Sequence, residues 1–180
     1  MLLACQLSFP QVGVGKWRDH FSFSKAHHIE IVGNKVFAQG DLGLMYYDTD
    51  DGTVNKFTKI EGLSDVGISA FAYDRQSDFM VIAYTNSNID LVHKGQVFNL
   101  SDIKRSEISG DKNIYRIRFY DKKAYLACGF GTVVLNLSRK EISDVYYVGS
   151  EGTTLKTNDL SVFNENIVIA TDSGFIAADK

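Results

Sequence analysis

Few residues in this 180-residue chain have the types and spacing that chemistry requires. His27 and His28 are adjacent, and adjacent side chains in a strand point to opposite faces, so the pair alone does not make a metal site. His20 and His93 have no partner at ligand spacing. Asp48-Thr49-Asp50-Asp51-Gly52 is acidic like a calcium loop. An EF-hand, however, needs an acidic residue or Asn at its fifth position and Gly at its sixth. Here those positions hold Gly52 and Thr53, and the segment reads as an Asp-Gly hairpin turn.

Gly13-Val14-Gly15 and Gly129-Phe130-Gly131 are not phosphate loops: no helix follows the first, and the second is a turn between strands. Ser, His and Asp all occur, but no Gly-x-Ser-x-Gly nucleophile elbow does. Asn99-Leu100-Ser101 and Asn136-Leu137-Ser138 are formal glycosylation sequons, without meaning in a bacterial source. Cys128 lies in the apolar run Ala124-Tyr125-Leu126-Ala127-Cys128 and reads as a small core hydrophobe. Cys5 sits in a different context, so the two make no disulfide framework. Catalytic residues, metal ligands and cofactors are therefore all expected to be none, and the chain reads as not an enzyme. One segment keeps a polar option. Ser101-Asp102-Ile103-Lys104-Arg105 places two adjacent cations after a strand. It reads either as a solvated connection or as an anion-binding loop, with Lys104 and Arg105 contacting a glycan or lipid phosphate.

Composition narrows the class. The net charge of −3 leaves no electrostatic footprint for nucleic acid or an anionic membrane surface. Hydrophobic residues at 44% supply a real core, and with 15 Gly and 1 Pro the turns must come from Gly, Asn, Asp and Ser. The first ten residues, MLLACQLSFP, are apolar and too short to span a bilayer. Three readings stay open: the tail of a signal peptide with a mature start near Gln11, a lipobox whose Cys5 is lipidated, and a plain N-terminus.

The elements that position these residues repeat. Val36-Phe37-Ala38-Gln39-Gly40, Val81-Ile82-Ala83-Tyr84-Thr85, Tyr125-Leu126-Ala127-Cys128-Gly129 and Val168-Ile169-Ala170-Thr171-Asp172 each carry two apolar residues and then alanine. The alanines are 45, 44 and 43 residues apart, a β-propeller period. After each comes a turn (Asp41-Leu42-Gly43, Asn86-Ser87-Asn88, Phe130-Gly131, Ser173-Gly174) and a second apolar run. Before each lies another strand: 28–32, 68–73, 115–119 and 159–163. A fourth follows at Val54–Phe57, Gln96–Asn99 and Val145–Val148, with none in the last copy. Each unit is then a four-stranded antiparallel meander, whose faces are buried by stacking units radially. The expected fold is all-β, about four propeller blades in an incomplete ring, with almost no helix. The blades span 28–60, 66–100, 113–149 and a truncated 155–180, after a signal-like segment 1–10 and an extension 11–27. Alanine is expected where blades converge near the axis and a larger residue would overpack. The unpaired last strand predicts an open, self-associating arc unless Val12–Trp17 closes the ring.

The junction Glu61-Gly62-Leu63-Ser64-Asp65-Val66-Gly67, followed by the strand through Tyr73 and Asp74, resembles the linker of two-component-regulator propeller repeats. Other segments resemble the N-terminal propeller of PorZ-like accessory proteins of type IX secretion in Bacteroidetes. They are Trp17-Arg18-Asp19-His20, Asn88-Ile89-Asp90-Leu91, Asn99 to Arg105, Gly110-Asp111-Lys112 and Ala124 to Gly131, so the likeness covers residues 17–180. The resemblance implies a longer parent protein with two propellers, further β modules and a sorting domain. That parent acts outside the outer membrane, in a complex that attaches secreted cargo to anionic lipopolysaccharide.

For this chain the resemblance implies a secreted, non-enzymatic binding or assembly platform in the periplasm or at the cell surface. Its expected partners are proteins of the secretion complex or a surface glycan or lipopolysaccharide, with no nucleic acid and no transmembrane segment. The rival reading is a carbohydrate-sensing periplasmic domain of a hybrid two-component regulator. Because loops on a rigid scaffold carry binding residues, a ligand is expected at the turns after the alanine strands: Asp41, Asn86, Phe130 and Ser173.

Overall fold

The computed structural model describes residues 25–149, 154–163 and 166–179. The signal-like segment, Cys5, Val12–Trp17 and the Trp17–His20 motif lie outside the described residues.

Among the described residues, fifteen strands form four sheets, with one short helix between the second and the third. The first blade is β1 (His28–Val32), β2 (Lys35–Gln39), β3 (Leu44–Asp48) and β4 (Val54–Phe57). The second is β5 (Ile68–Asp74), β6 (Phe79–Tyr84), β7 (Ile89–His93) and β8 (Gln96–Leu100). Then come α1 (Asp102–Arg105) and the third blade, β9 (Ile114–Tyr120), β10 (Lys123–Cys128), β11 (Gly131–Asn136) and β12 (Glu141–Tyr146). The last sheet is β13 (Thr157–Phe163), β14 (Asn166–Thr171) and β15 (Gly174–Asp179). Strand order follows chain order in every sheet and every pairing is antiparallel, so each sheet is a meander. The leading strands β1, β5, β9 and β13 pack side by side, and the four sheets form an open arc rather than a closed ring.

Three elements differ from their sequence-based expectations. The fourth strand of the third blade is Glu141–Tyr146, not Val145–Val148. The segment 137–140 is the β11–β12 turn: Lys140 N–H reaches the Asn136 carbonyl at 2.8 Å, and Lys140 takes a positive φ of 57°. Polar Glu141, Ser143 and Asp144 fit an outermost strand that faces solvent. Second, the segment after β8 is one helical turn rather than irregular loop, because Ile103 buries itself in the core and pulls the chain round. Third, the alanine register slips by one residue in the first blade. Gln39 pairs with Leu44 as Ala83 does with Ile89, Ala127 with Thr132 and Ala170 with Phe175. Gln39 is thus the first copy of that position, and Ala38 lies on the opposite face. Ala83 and Ala127 are fully buried against the following blade. The larger Gln39 is tolerated because its side-chain amide donates to the Ile68 carbonyl of the next blade at 2.9 Å.

The core lies between blades. Phe37, Leu44 and Phe71 join the first two with Met80, Ile82 and Tyr84. Val81, Leu91, Ile114, Leu126 and Val133 fill the second interface. Tyr125, Val134, Leu160 and Ile169 fill the third. Successive residues of β6 and β10 therefore point into different interfaces and all are buried, apart from half-buried Lys123 at the start of β10. The far face of the first blade, with Ile29 at 59% and Val54 at 66% exposure, is open to solvent. So is the far face of the fourth, with Phe163 at 68% and Phe175 at 80%.

Stability should divide along these lines. Leu126→Ala, at the fully buried centre, is expected to cost about 2–5 kcal/mol, read from the urea midpoint. Ile29→Ala, on the open face, should change the same midpoint by under about 0.5 kcal/mol.

Candidate binding surface

Each β2–β3-type turn sits beside the segment that leads into its own blade. His27 contacts Asp41 at 2.5 Å. Asn86 donates to Asp65 at 2.5 Å. Gly129 N–H reaches the Asn113 carbonyl at 3.0 Å. Asn158 donates to Asp172 at 2.6 Å. A contact from each turn to the start of its own blade, made by different groups in each copy, puts the four turns and the inter-blade linkers together on one end of the arc.

Of the four expected turn residues, Asp41, Asn86 and Ser173 are exposed. Phe130 is not: it is 1% exposed, packed in the second interface with its ring 6.1 Å from that of Tyr147. Its neighbour Tyr147 is the exposed aromatic there, at 60%. No hydrogen bond or ion pair joins any two of the four among the described residues. Of the two expected anion contacts, Lys104 is engaged, with its ammonium 2.9 Å from the Asp65 carboxylate. Arg105 is exposed and makes no ion pair among the described residues.

Beneath this surface the Gly-Leu-Ser junction is anchored on a carboxylate. Leu63 plugs the first interface. The fully buried Asp90 accepts from Ser64 N–H at 2.8 Å, the Tyr84 hydroxyl at 2.6 Å and the Asn99 amide at 2.9 Å. A buried carboxylate is tolerated when its lone pairs are filled in this way. Burial, reinforced by Asp90, raises the Tyr84 phenol above its ordinary value. Asp65 is the outer half of the junction. Burial works against its charge, but hydrogen bonds from Lys104 and Asn86 hold its carboxyl down at about 2.

Two glycines fix the third turn. A Cβ on Gly129 would lie 2.4 Å from the Asp111 carbonyl, and one on Gly131, at φ 138°, would lie 2.2 Å from that of Tyr146. Asp111 in turn accepts from Asn113 N–H at 2.9 Å and from the Tyr115 hydroxyl. Cys128 at this turn is a free thiol that burial pushes up to about 12, an inert packing group.

Sequence reasoning missed the axial wall. A polar hollow of about 230 Å³ runs along β1, β5 and β9, with His28, Glu30, Ser69 and Arg116 among its lining. On the same wall Arg118 grips Asp159 through two nitrogens at 3.0 and 2.6 Å, tying β9 to β13. Alternating polar residues in the leading strands were the available signal. Among the described residues no group of three or more His, Cys, Asp and Glu could hold a metal ion, and no helix is long and apolar enough to cross a membrane.

Radially stacked four-stranded meanders, with turns and linkers gathered at one end, define a β-propeller module. Residues 36–180 match the N-terminal β-propeller domain of PorZ of the type IX secretion system (TSS9), and the chain belongs to that family. It is similar to the solved structure of PorZ, an essential surface component of the type IX secretion system of Porphyromonas gingivalis. That likeness has 26% identity and a TM-score of 0.77, over 87% of this chain and 21% of that one. The extracellular domain of a candidate one-component system of B. thetaiotaomicron shares the fold at 11% identity and TM-score 0.68, over 91% of this chain and 22% of that one. A candidate hybrid two-component system of the same organism does so at 12% and 0.64, over 93% and 24%. The chain thus spans about a fifth of the length of these proteins. No curated protein matches the sequence.

The Asp65 node predicts acid sensitivity. Its folded-state pKa lies below the unfolded value of 3.8, so its contribution is present above pH 3.8 and is lost as pH falls towards about 2. Asp65→Asn should lower the melting temperature at pH 7. It should also flatten the fall in melting temperature across that acid window, as followed by circular dichroism.

Proposed function

We propose that the chain is a non-enzymatic binding and assembly module of a bacterial surface secretion complex, with the turn-and-linker end of the arc as its contact surface. The observation that carries this reading is the family match, which covers residues 36–180. The geometry supports it. Exposed Asp41, Asn86 and Ser173, one per blade, and Arg105 on the linker stand on a frame whose interfaces are packed and hydrogen-bonded. Rigid sheets holding polar turns suit recognition more than turnover. Its partners on this reading are proteins of the secretion complex, with Arg105 available to a glycan or lipopolysaccharide phosphate. Phe130 acts from below by setting the turn it supports, and Lys104 by holding Asp65. The module works outside the cytoplasm, in the periplasm or on the cell surface. The regulator reading gains nothing specific, since likeness at 11–12% identity speaks for the fold alone.

The test compares the two ends of the arc. Asp41→Lys with Arg105→Glu should weaken binding to purified secretion-complex proteins about tenfold in biolayer interferometry, and Arg105→Glu alone should weaken binding to anionic lipopolysaccharide. Arg75→Glu with Lys122→Glu, on opposite-end turns, should leave both unchanged. The reverse pattern would refute the assignment of the surface. Turnover of a glycan or peptide that disappears on changing one acidic residue would refute the non-enzymatic reading.

A further inference from the structure

The first two inter-blade interfaces begin from the same repeat but are not filled alike. In the second, Phe79 is buried and stacks on His93 at 4.3 Å, with Phe98, Phe119 and Ile142 packed against the same core. In the first, the corresponding half, away from the turn surface, is open among the described residues. Phe37 and Met80 form a floor, and the half-buried Tyr46, Phe57, Tyr73 and Val92 line a cleft of about 390 Å³. That volume falls in the usual range for ligand sites, and mostly apolar walls with a few polar groups are their usual chemistry.

The polar groups select the occupant. Lys35 lies over the Tyr46 ring, 4.7 Å from its centroid, and 3.8 Å from Asp48, so that cation and that ring face are already used. Asp78 accepts the Tyr73 hydroxyl at 2.8 Å. Lys94, on the exposed β7–β8 turn at the cleft, makes no ion pair among the described residues. The lining carries no Ser, Thr, Asn or Gln side chain. A sugar would want a free ring face and several such groups. An aromatic side chain followed by a carboxylate fits what is present, with the ring entering the apolar floor and the carboxylate meeting Lys94.

We propose that this cleft is a socket for a segment of a protein partner that inserts an aromatic side chain between the first and second blades and sets an adjacent acidic residue against Lys94. The proposal rests on the reading of the chain as a binding module and gives that module a second contact, away from the turn surface.

The probe is the blocked tetrapeptide acetyl-Gly-Phe-Glu-Gly-amide, titrated into the full chain by NMR and calorimetry. Ring-proton shifts of Phe37, Tyr46, Phe57 and Tyr73, with a dissociation constant below about 1 mM, are expected. Lys94→Asn removes the charge while keeping a residue that accepts the positive φ of 49°. It should weaken binding about two- to fivefold, as for an exposed ion pair. Val92→Trp should fill the cleft and abolish binding with the melt retained. If that variant does not fold, the shifts on the unmodified chain still locate the peptide. Shifts elsewhere, no binding at millimolar peptide, or tighter binding of an oligosaccharide or of phenylacetate in the cleft would each overturn the socket. With the cleft empty but the Asp41 and Arg105 changes still disrupting partner binding, the module reading would stand and only the socket would fall.

Discussion

Tyr125 and Leu126 are neighbours in β10, point in opposite directions, and are both shut off from water. That can happen only if the sheet is covered on both faces. A four-stranded meander with apolar residues on both sides cannot cover itself, so each blade depends on a neighbour to its left and right. Burying the inward side chains contributes about 25 cal/mol per Å² of apolar surface, and nearly all of that burial lies between sheets. The two inner blades carry this burden in full. Among the described residues the outer two are covered on one face only, which is why Ile29 and Phe175 are exposed while their counterparts further in are not.

Stacking alone leaves the angle and offset of successive blades loose, and polar contacts remove that freedom. Asp90 is the strongest case. Its carboxylate sits in the core of the second blade and receives the backbone N–H of Ser64 from the linker that arrives from the first. The Gly-Leu-Ser junction is then a device of three parts: a glycine at φ 117° for the bend, a leucine plug and a serine N–H for the buried acid. Gln39 to the Ile68 carbonyl and Arg118 to Asp159 do the same work at other interfaces. One carbon more on Gly129 or Gly131 would push the third turn off the strands it closes.

This frame decides what can be displayed. Every second-strand turn lands beside its blade's lead-in, so residues some 45 positions apart in sequence come to share one end of the arc. The other end is built from tight hairpins such as Lys94–Gly95 and Asp121–Lys122, whose positive φ values leave little room for insertion.

The number of blades, their meander order and the near absence of helix were legible in the sequence, because apolar alternation and turn residues are local signals with a fixed period. The Ala124 to Gly131 segment carried the likeness to the PorZ propeller, and the Gly-Leu-Ser junction the likeness to regulator propeller repeats. The sequence could not say that Ala38 belongs on the other face from Ala83, since a one-residue slip inverts every side chain and only pairing with β3 fixes it. Nor could it say that Phe130 turns inward while Tyr147 turns out, or that Lys104 is held by Asp65 while Arg105 makes no ion pair among the described residues. The fourth strand of the third blade was misplaced for a related reason: Val145–Val148 is more apolar than Glu141–Asp144, yet an outermost strand needs only a free edge and one dry face. Hydrophobic pattern specifies which strands exist. Which way each side chain points, and which charge finds a partner, depends on contacts between blades that lie tens of residues apart in sequence and meet only when the arc assembles.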